Sequence, residues 1–265
     1  MHKKVLILSD MHCGHVTGLT PPAYQRRSNT EHKWNKYVSV QKNIWKWFTK
    51  EVLEHGPYDH CIVNGDCIDG PGSRSGGSEL ITTDSLEQAN IAIEILKTLP
   101  VKKFTMTYGT AYHTGQCEDF EQVVAKALKA KIGSHEWVTI NGAIFDVKHH
   151  LGSSSIPYGR TTALSKEAYQ NALWAARGEQ PQADVLLRSH VHYYSQAITR
   201  IGNTLVTAVS TPALQGYGSK YGARRCSAPV DIGFLVAHVA KTKGRPTVHM
   251  IPHLAQLDCL KARSA

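Results

Sequence analysis

The apolar positions of this chain fall into short unbroken runs and longer segments with helical spacing. Val5, Leu6, Ile7 and Leu8 form the first run, of the length and character of a strand buried on both faces. Further strands are predicted over residues 59–64, 101–108, 184–187, 232–239 and 247–251. Residues 137–140 and 143–148 read as a hairpin through Asn141-Gly142, and 194–199 with 204–210 as an antiparallel pair joined at Gly202-Asn203. Helical spacing appears at Val40, Ile44, Trp47, Phe48 and Val52 within 37–54, closed by His55-Gly56-Pro57. Other helices are predicted over 83–98, with Thr83 or Asp84 as N-cap, over 118–131, and over 160–177. The stretches 13–36, 71–78 and 216–225 show no period and read as loops.

Chemistry gathers where the strands stop. Asp10 and His12 follow the first strand, and two residues apart on extended chain they face one spot. Asp66 and Asp69 follow the second behind the flexible turn at Gly65. His113 lies in the turn after the third strand, His149 and His150 end an arm of the hairpin, and His190 alternates with His192 after 184–187. Any one of these patterns alone is more simply structural. Five of them in a repeating strand-helix order, with ligands collecting at the carboxyl ends of strands, point to one metal-binding centre.

Composition narrows the picture. With 265 residues and 42% hydrophobic content the chain suits one domain over 1–265. The run at 5–8 is too short for a signal-peptide core and nothing approaches a membrane span, so a soluble, cytoplasmic protein with no membrane partner is expected. Six scattered cysteines without a CxxC pair argue against a disulfide framework and a thiolate zinc site. A formal charge of +9 favours an anionic partner, a phosphate ester or a nucleic acid. Trp34, Trp45 and Trp47 could form a base-stacking stripe, but on an amphipathic helix they read better as core.

The motifs in order, Asp10-Met11-His12, Gly65-Asp66-Cys67-Ile68-Asp69, Gly109-Thr110-Ala111-Tyr112-His113, His149-His150 and Ser189-His190-Val191-His192, resemble the signature of the calcineurin-like metallophosphoesterases. The resemblance spans residues 10–192 and says little beyond about 216. It implies an α/β fold (α+β mixed), a four-layer α/β/β/α sandwich with two mixed sheets. It also implies that Asp10, His12 and His192 hold one divalent ion, and that Asp66 bridges to a second held by His149 and His190, with His150 a weaker rival to His149. Such a pair, about 3.5–4 Å apart, polarises a phosphoryl group and holds a hydroxide at neutral pH. Carboxylates with imidazoles suit Mn, Fe or Zn.

The third motif departs from the family's GNH. Thr110 stands as a weak oxygen ligand, and His113, three residues on, as either ligand or general acid; His113 and Asp66 are thus the catalytic candidates. Gly70 is followed by Pro71, so the arginine clamp that the family's phosphatases use for a terminal phosphate is missing and phosphodiesters are favoured over monoesters. A DNA or RNA nuclease would use the same centre, with Arg26, Arg27, Arg160, Arg224 and Arg225 as phosphate contacts. Arg160, Arg224 and Arg225 are the substrate-binding candidates. A non-catalytic nucleic-acid-binding module with a degraded metal site is the remaining alternative.

Overall fold

The computed structural model describes residues 2–25, 32–73, 75–114, 119–152, 154, 156–217, 229–242 and 244–256, with 32–36 described in backbone only. The strands are β1 (His2–Leu8), β2 (His60–Asn64), β3 (Phe104–Thr107), β4 (Lys131–Gly133), β5 (Glu136–Ile140), β6 (Ala143–Val147), β7 (Val185–Arg188), β8 (Ser195–Ile201), β9 (Thr204–Ser210), β10 (Gly233–Ala240) and β11 (Thr247–Leu254). The helices are α1 (His32–Glu54), α2 (Ser85–Lys97), the single turn α3 (Ala111–Thr114), α4 (Phe120–Ala127) and α5 (Arg160–Ala176).

Two mixed sheets result. The first runs β11-β10-β1-β2-β3-β4 and the second β5-β6-β7-β9-β8. In the first, β1 to β4 are parallel, with Val5 level with His60 and Cys61 with Phe104, while β10 and β11 add antiparallel. In the second, β6, β7 and β9 are parallel, and β5 and β8 close the edges antiparallel. Parallel strands need apolar cover on both faces. Three apolar clusters supply it.

The period of two along β1 divides that cover. Leu6 and Leu8 pack with Ile44, Phe48 and Val52 of α1, Ile91, Ile95 and Leu96 of α2, and Val124 of α4. Val5 and Ile7 turn the other way and meet Phe145, Val147, Val185 and Leu187 between the two sheets. Leu164 and Ala168 of α5 cover the outside of the second sheet against Leu186, Val206 and Ala208. The order helix, sheet, sheet, helix is the four-layer sandwich expected from the motifs. Trp45 and Trp47 pack against the first of these clusters, Trp47 lying 5.6 Å from Phe234, so they serve the core; the Trp34 side chain lies outside the described residues.

Several boundaries differ from the sequence reading. Helix α4 ends at Ala127 rather than at residue 131, because Lys129 turns left-handed (φ 53°) and residues 131–133 leave to pair with β3. Helix α1 begins at His32, inside the stretch read as loop, and the rest of that stretch up to Pro21 is buried beneath the site. Asp84, not Thr83, caps α2, its Oδ1 accepting from the backbone N–H groups of Leu86 and Glu87 at 2.8 and 3.3 Å. The hairpin at Asn141-Gly142 turns with φ of 52° and 91°, the geometry that dipeptide favours.

Candidate metal centre

The loops after β1 and β2 run side by side. The N–H groups of Asp10, His12 and Cys13 donate to the carbonyls of Gly65, Asp66 and Cys67 at 3.1, 3.0 and 2.9 Å. Asp10 and His12 are not on extended chain, as their spacing suggested. Both adopt left-handed backbone, as do Asp66, His190 and His192 (φ between 44° and 74°). Five of the seven non-glycine residues in that conformation among the described residues are therefore predicted ligands. Unfavourable backbone of this kind persists where the surrounding structure imposes it, and it concentrates at functional sites.

The side chains converge in three overlapping groups, Asp10/His12/His192, Asp66/His149/His190 and His12/Asp66/His113, each with its ligand atoms within 4.8 Å of one another. His192 Nε2 stands 3.3 Å from Asp10 Oδ1 and from His12 Nε2. His149 Nε2 stands 3.0 Å from Asp66 Oδ2 and 3.9 Å from Asp10 Oδ1. The sequence-predicted set is thus brought together, apart from His150, which is exposed and stacks on the outer side of His190 with ring centroids 5.1 Å apart.

Glycine makes the approach possible. A Cβ at Gly109 would stand 2.0 Å from Asp66 Oδ1, and one at Gly65 (φ 76°) would stand 2.5 Å from His149 Nδ1. With Gly109 bare, the Thr110 N–H donates to Asp66 Oδ1 at 2.8 Å, and the Thr110 hydroxyl lies 3.3 Å from the same oxygen.

Two buried atoms test whether this pocket fits a cation. Asp10 Oδ1 and His149 Nε2 are shut off from solvent, and neither has a hydrogen-bond partner. His149 Nδ1 lies 2.7 Å from the Asn64 carbonyl and must donate to it, so the lone pair of neutral His149 sits on Nε2, aimed at the carboxylates. An unpaired carboxylate oxygen and an imidazole lone pair pointing into one space are a costly arrangement without a positive centre between them. The residues fit a divalent metal.

The electrostatics show how strongly the carboxylates draw positive charge into this space. Burial opposes ionisation of Asp66, yet the charge of the neighbouring His149 holds its carboxyl well below the usual range. Burial disfavours His149 as a cation, yet Asp66 pushes it up to about 10, so a proton and a divalent ion compete for the same Nε2 lone pair. Burial and the nearby His149 push His190 down, and burial and His12 push His113 down, leaving both neutral and able to donate lone pairs at neutral pH.

Residues that carried no role in the sequence reading hold the ligands in place. Asp69 Oδ1 is 2.9 Å from His12 Nδ1, and Asp69's own carbonyl accepts from His113 Nδ1 at 2.7 Å. Asn64 reaches Ser189 Oγ at 2.7 Å and accepts from Thr107 Oγ1 at 2.6 Å, tying β2 to the second sheet. The fully buried carboxylate of Glu121 accepts from the N–H groups of Cys67 and Gly109, both at 2.7 Å, and so clasps the loops bearing Asp66 and Thr110. Arg188, just before His190, is itself buried, paired with Asp146 Oδ1 and Glu167 Oε2 at 2.8 Å each. Only Asp69 stood in a motif; Asn64, Glu121 and Arg188 are single polar residues in apolar or helical segments, with no local signal.

Of the basic candidates, Arg160 at the start of α5 lies over the ring of Tyr193, 4.1 Å from its centroid and next in the chain to His192. Arg26, Arg27, Arg224 and Arg225 lie outside the described residues.

No protein-family model and no curated sequence matches the chain. Among solved structures, similar ones include Vps29 from Entamoeba histolytica complexed with zinc, at 14% identity and TM-score 0.43, covering 94% of this chain and 98% of that one. An archaeal phosphodiesterase matches at 14% identity and TM-score 0.46 over 94% and 99% of the two chains. A predicted phosphoesterase from Streptococcus pneumoniae matches at 10% identity and TM-score 0.39 over 95% and 99%. Among the described residues no helix is long and apolar enough to cross a membrane.

Proposed function

We propose that this chain is a calcineurin-like metallophosphoesterase that hydrolyses phosphodiesters at a dinuclear centre. The observation that carries the reading is the convergence of the three Asp/His groups on Asp66 and His12, with Asp10 Oδ1 and His149 Nε2 buried and unsatisfied among them. Asp10, His12 and His192 would hold one ion, and His149 and His190 the second, with Asp66 between. Thr110 is the remaining oxygen donor. Bound there, two divalent ions (Mn, Fe or Zn) would supply Lewis acidity toward a phosphoryl group and activate water.

The chain's own residues do the rest. Asp69 fixes the ring of His12 and leaves its Nε2 facing the centre. His113, its Nδ1 proton given to the Asp69 carbonyl, keeps Nε2 free to bind an ion or to pass a proton to a leaving oxygen. Arg160, over the ring of Tyr193, would meet a phosphate near His192. Pro71 follows Gly70 where the family's clamp motif needs an arginine, which favours a diester over a dianionic terminal phosphate.

The formal charge of +9 favours a second form of the same reading, in which the diester is DNA or RNA. Metal analysis of the purified protein, with bis-p-nitrophenyl phosphate, p-nitrophenyl phosphate, cyclic nucleotides and oligonucleotides as substrates, tests both. Hydrolysis of diesters with metal bound is expected, and no hydrolysis of any ester by fully metallated protein overturns the enzyme reading. Many phosphate contacts make affinity fall steeply with salt, so cleavage of an oligonucleotide that drops about tenfold or more between roughly 50 and 200 mM salt, with small-diester turnover unchanged, supports the nuclease form. Cutting of small diesters alone removes it.

A further inference from the structure

Away from the centre described above, a second set of ligand-type side chains meets at the outer edge of the six-stranded sheet. Glu51 and His55 are one helical turn apart near the C-terminal end of α1, and His253 belongs to β11, the edge strand two places from β1. Their ligand atoms lie within 4.8 Å of one another, and the group shares no residue with the first centre.

The spacing is informative. Glu51 Oε2 is 3.5 Å from His55 Nε2 and also 3.5 Å from His253 Nδ1. That is long for a charge-assisted hydrogen bond, which closes to about 2.7–2.9 Å. It matches the edge of a tetrahedron around zinc: bonds of 2.0–2.2 Å to imidazole nitrogen and carboxylate oxygen place neighbouring ligand atoms about 3.3–3.6 Å apart. A cation shared by the three would place one oxygen equally far from the two ring nitrogens.

The rings are held as ligands need to be. His253 stacks on Phe234, with centroids 5.0 Å apart and planes within 11°, and His55 packs against His253 at 4.2 Å. Phe234 in turn belongs to the core beneath α1, so the position of His253 is set by packing. His55 remains 40% exposed, which gives an ion a way in and leaves room for water at a fourth position.

We infer that Glu51, His55 and His253 form a separate zinc-type site that fastens the end of α1 to the edge strand of the first sheet. Two imidazoles and one carboxylate make a borderline donor set suited to Zn, with Co as its spectroscopic substitute. A metal here closes a link between residues distant in sequence, and it stabilises the folded chain in proportion to its occupancy.

The test uses full-length protein carrying Asp10→Asn and Asp66→Asn, which weakens the first centre, titrated with zinc and, separately, cobalt. The expected result is one zinc per chain at micromolar concentration, a cobalt spectrum of tetrahedral intensity, and a Tm that rises with zinc. Adding His55→Ala, at a half-buried position outside the apolar clusters, weakens zinc binding at least tenfold and removes the Tm response; His253→Ala and Glu51→Gln do the same. Unchanged zinc affinity in the His55→Ala protein overturns the inference, as does binding seen only above about 100 μM zinc, an affinity any surface histidine pair reaches. Diester hydrolysis by the otherwise unaltered chain is expected to be indifferent to His55→Ala. Because the zinc readout needs no catalysis, it stands or falls apart from the phosphoesterase reading.

Discussion

Asp69 Oδ1 stands 2.9 Å from His12 Nδ1, and that contact decides which nitrogen His12 offers to the centre. Carboxylates behind histidine ligands typically sustain 10–100-fold of metal affinity. Asp69→Asn is therefore expected to weaken metal binding by about that factor and to lower diester hydrolysis, with the circular dichroism spectrum unchanged. Metal affinity equal to that of the unaltered chain would remove Asp69 from the site.

Asp66→Asn keeps the shape of the side chain and takes away the charge at the point where two ligand groups meet. Hydrolysis is expected to disappear while the melting temperature stays near its original value. More than a few per cent of residual activity with two ions bound would refute a bridging role.

His113 is distinguished by leaving group. If its free Nε2 passes a proton, His113→Ala slows esters with poor leaving groups far more than those releasing p-nitrophenolate, which need no proton. If it is a ligand, both fall together as metal is lost. Full activity on every ester places His113 outside the chemistry.

Glu121→Gln tests the clasp between the two loops. A glutamine has one acceptor oxygen where the carboxylate serves Cys67 N–H and Gly109 N–H with two, so one buried amide is left facing an NH₂ group. A loss of about 1–3 kcal/mol in urea unfolding, together with weaker metal binding, is expected from one orphaned donor beside the site. Unchanged stability would show that the loops close without it.

His60 gives a pH dependence with a definite sign. Burial first, and Lys103 second, push its pKa down to about 4. An unfolded histidine titrates near 6.5, so between those values the unfolded chain takes up a proton that the folded one refuses. The native state carries no penalty above about pH 6.5 and loses stability as the pH falls toward 4, by a total on the order of 3 kcal/mol. Urea unfolding at pH 7 and about 4.5 is expected to show a smaller drop in the His60→Gln protein than in the parent. An equal drop would mean that His60 is protonated in the fold.

The sequence carried the centre further than it carried the element boundaries. Asp10, His12, Asp66, His149, His190 and His192 were all legible because each follows a strand, and strand ends in a parallel sheet collect in one place. The three residues of β4 were not legible, since Lys131, Ile132 and Gly133 are too few to show a period, and the helix read over 118–131 took in the first of them by continuity. Left-handed backbone at Asp10 and His12 was equally hidden. It is imposed by pairing with the loop after β2, which no local pattern reports. Glu121 and Arg188 escaped notice for a related reason: a buried charge is visible only when the partners that neutralise it are known.

The left-handed ligands set a limit on how stable this fold can become while it keeps its centre. Each such residue costs on the order of 1 kcal/mol, and five of them together reach the lower end of the net stability of an ordinary domain. Glycine at positions 10, 12, 66, 190 or 192 would relax that strain and erase a ligand in the same stroke. A screen for thermostability alone would drift toward those exchanges and return hardier proteins that bind no metal, which is the trade between robustness and function written into the backbone.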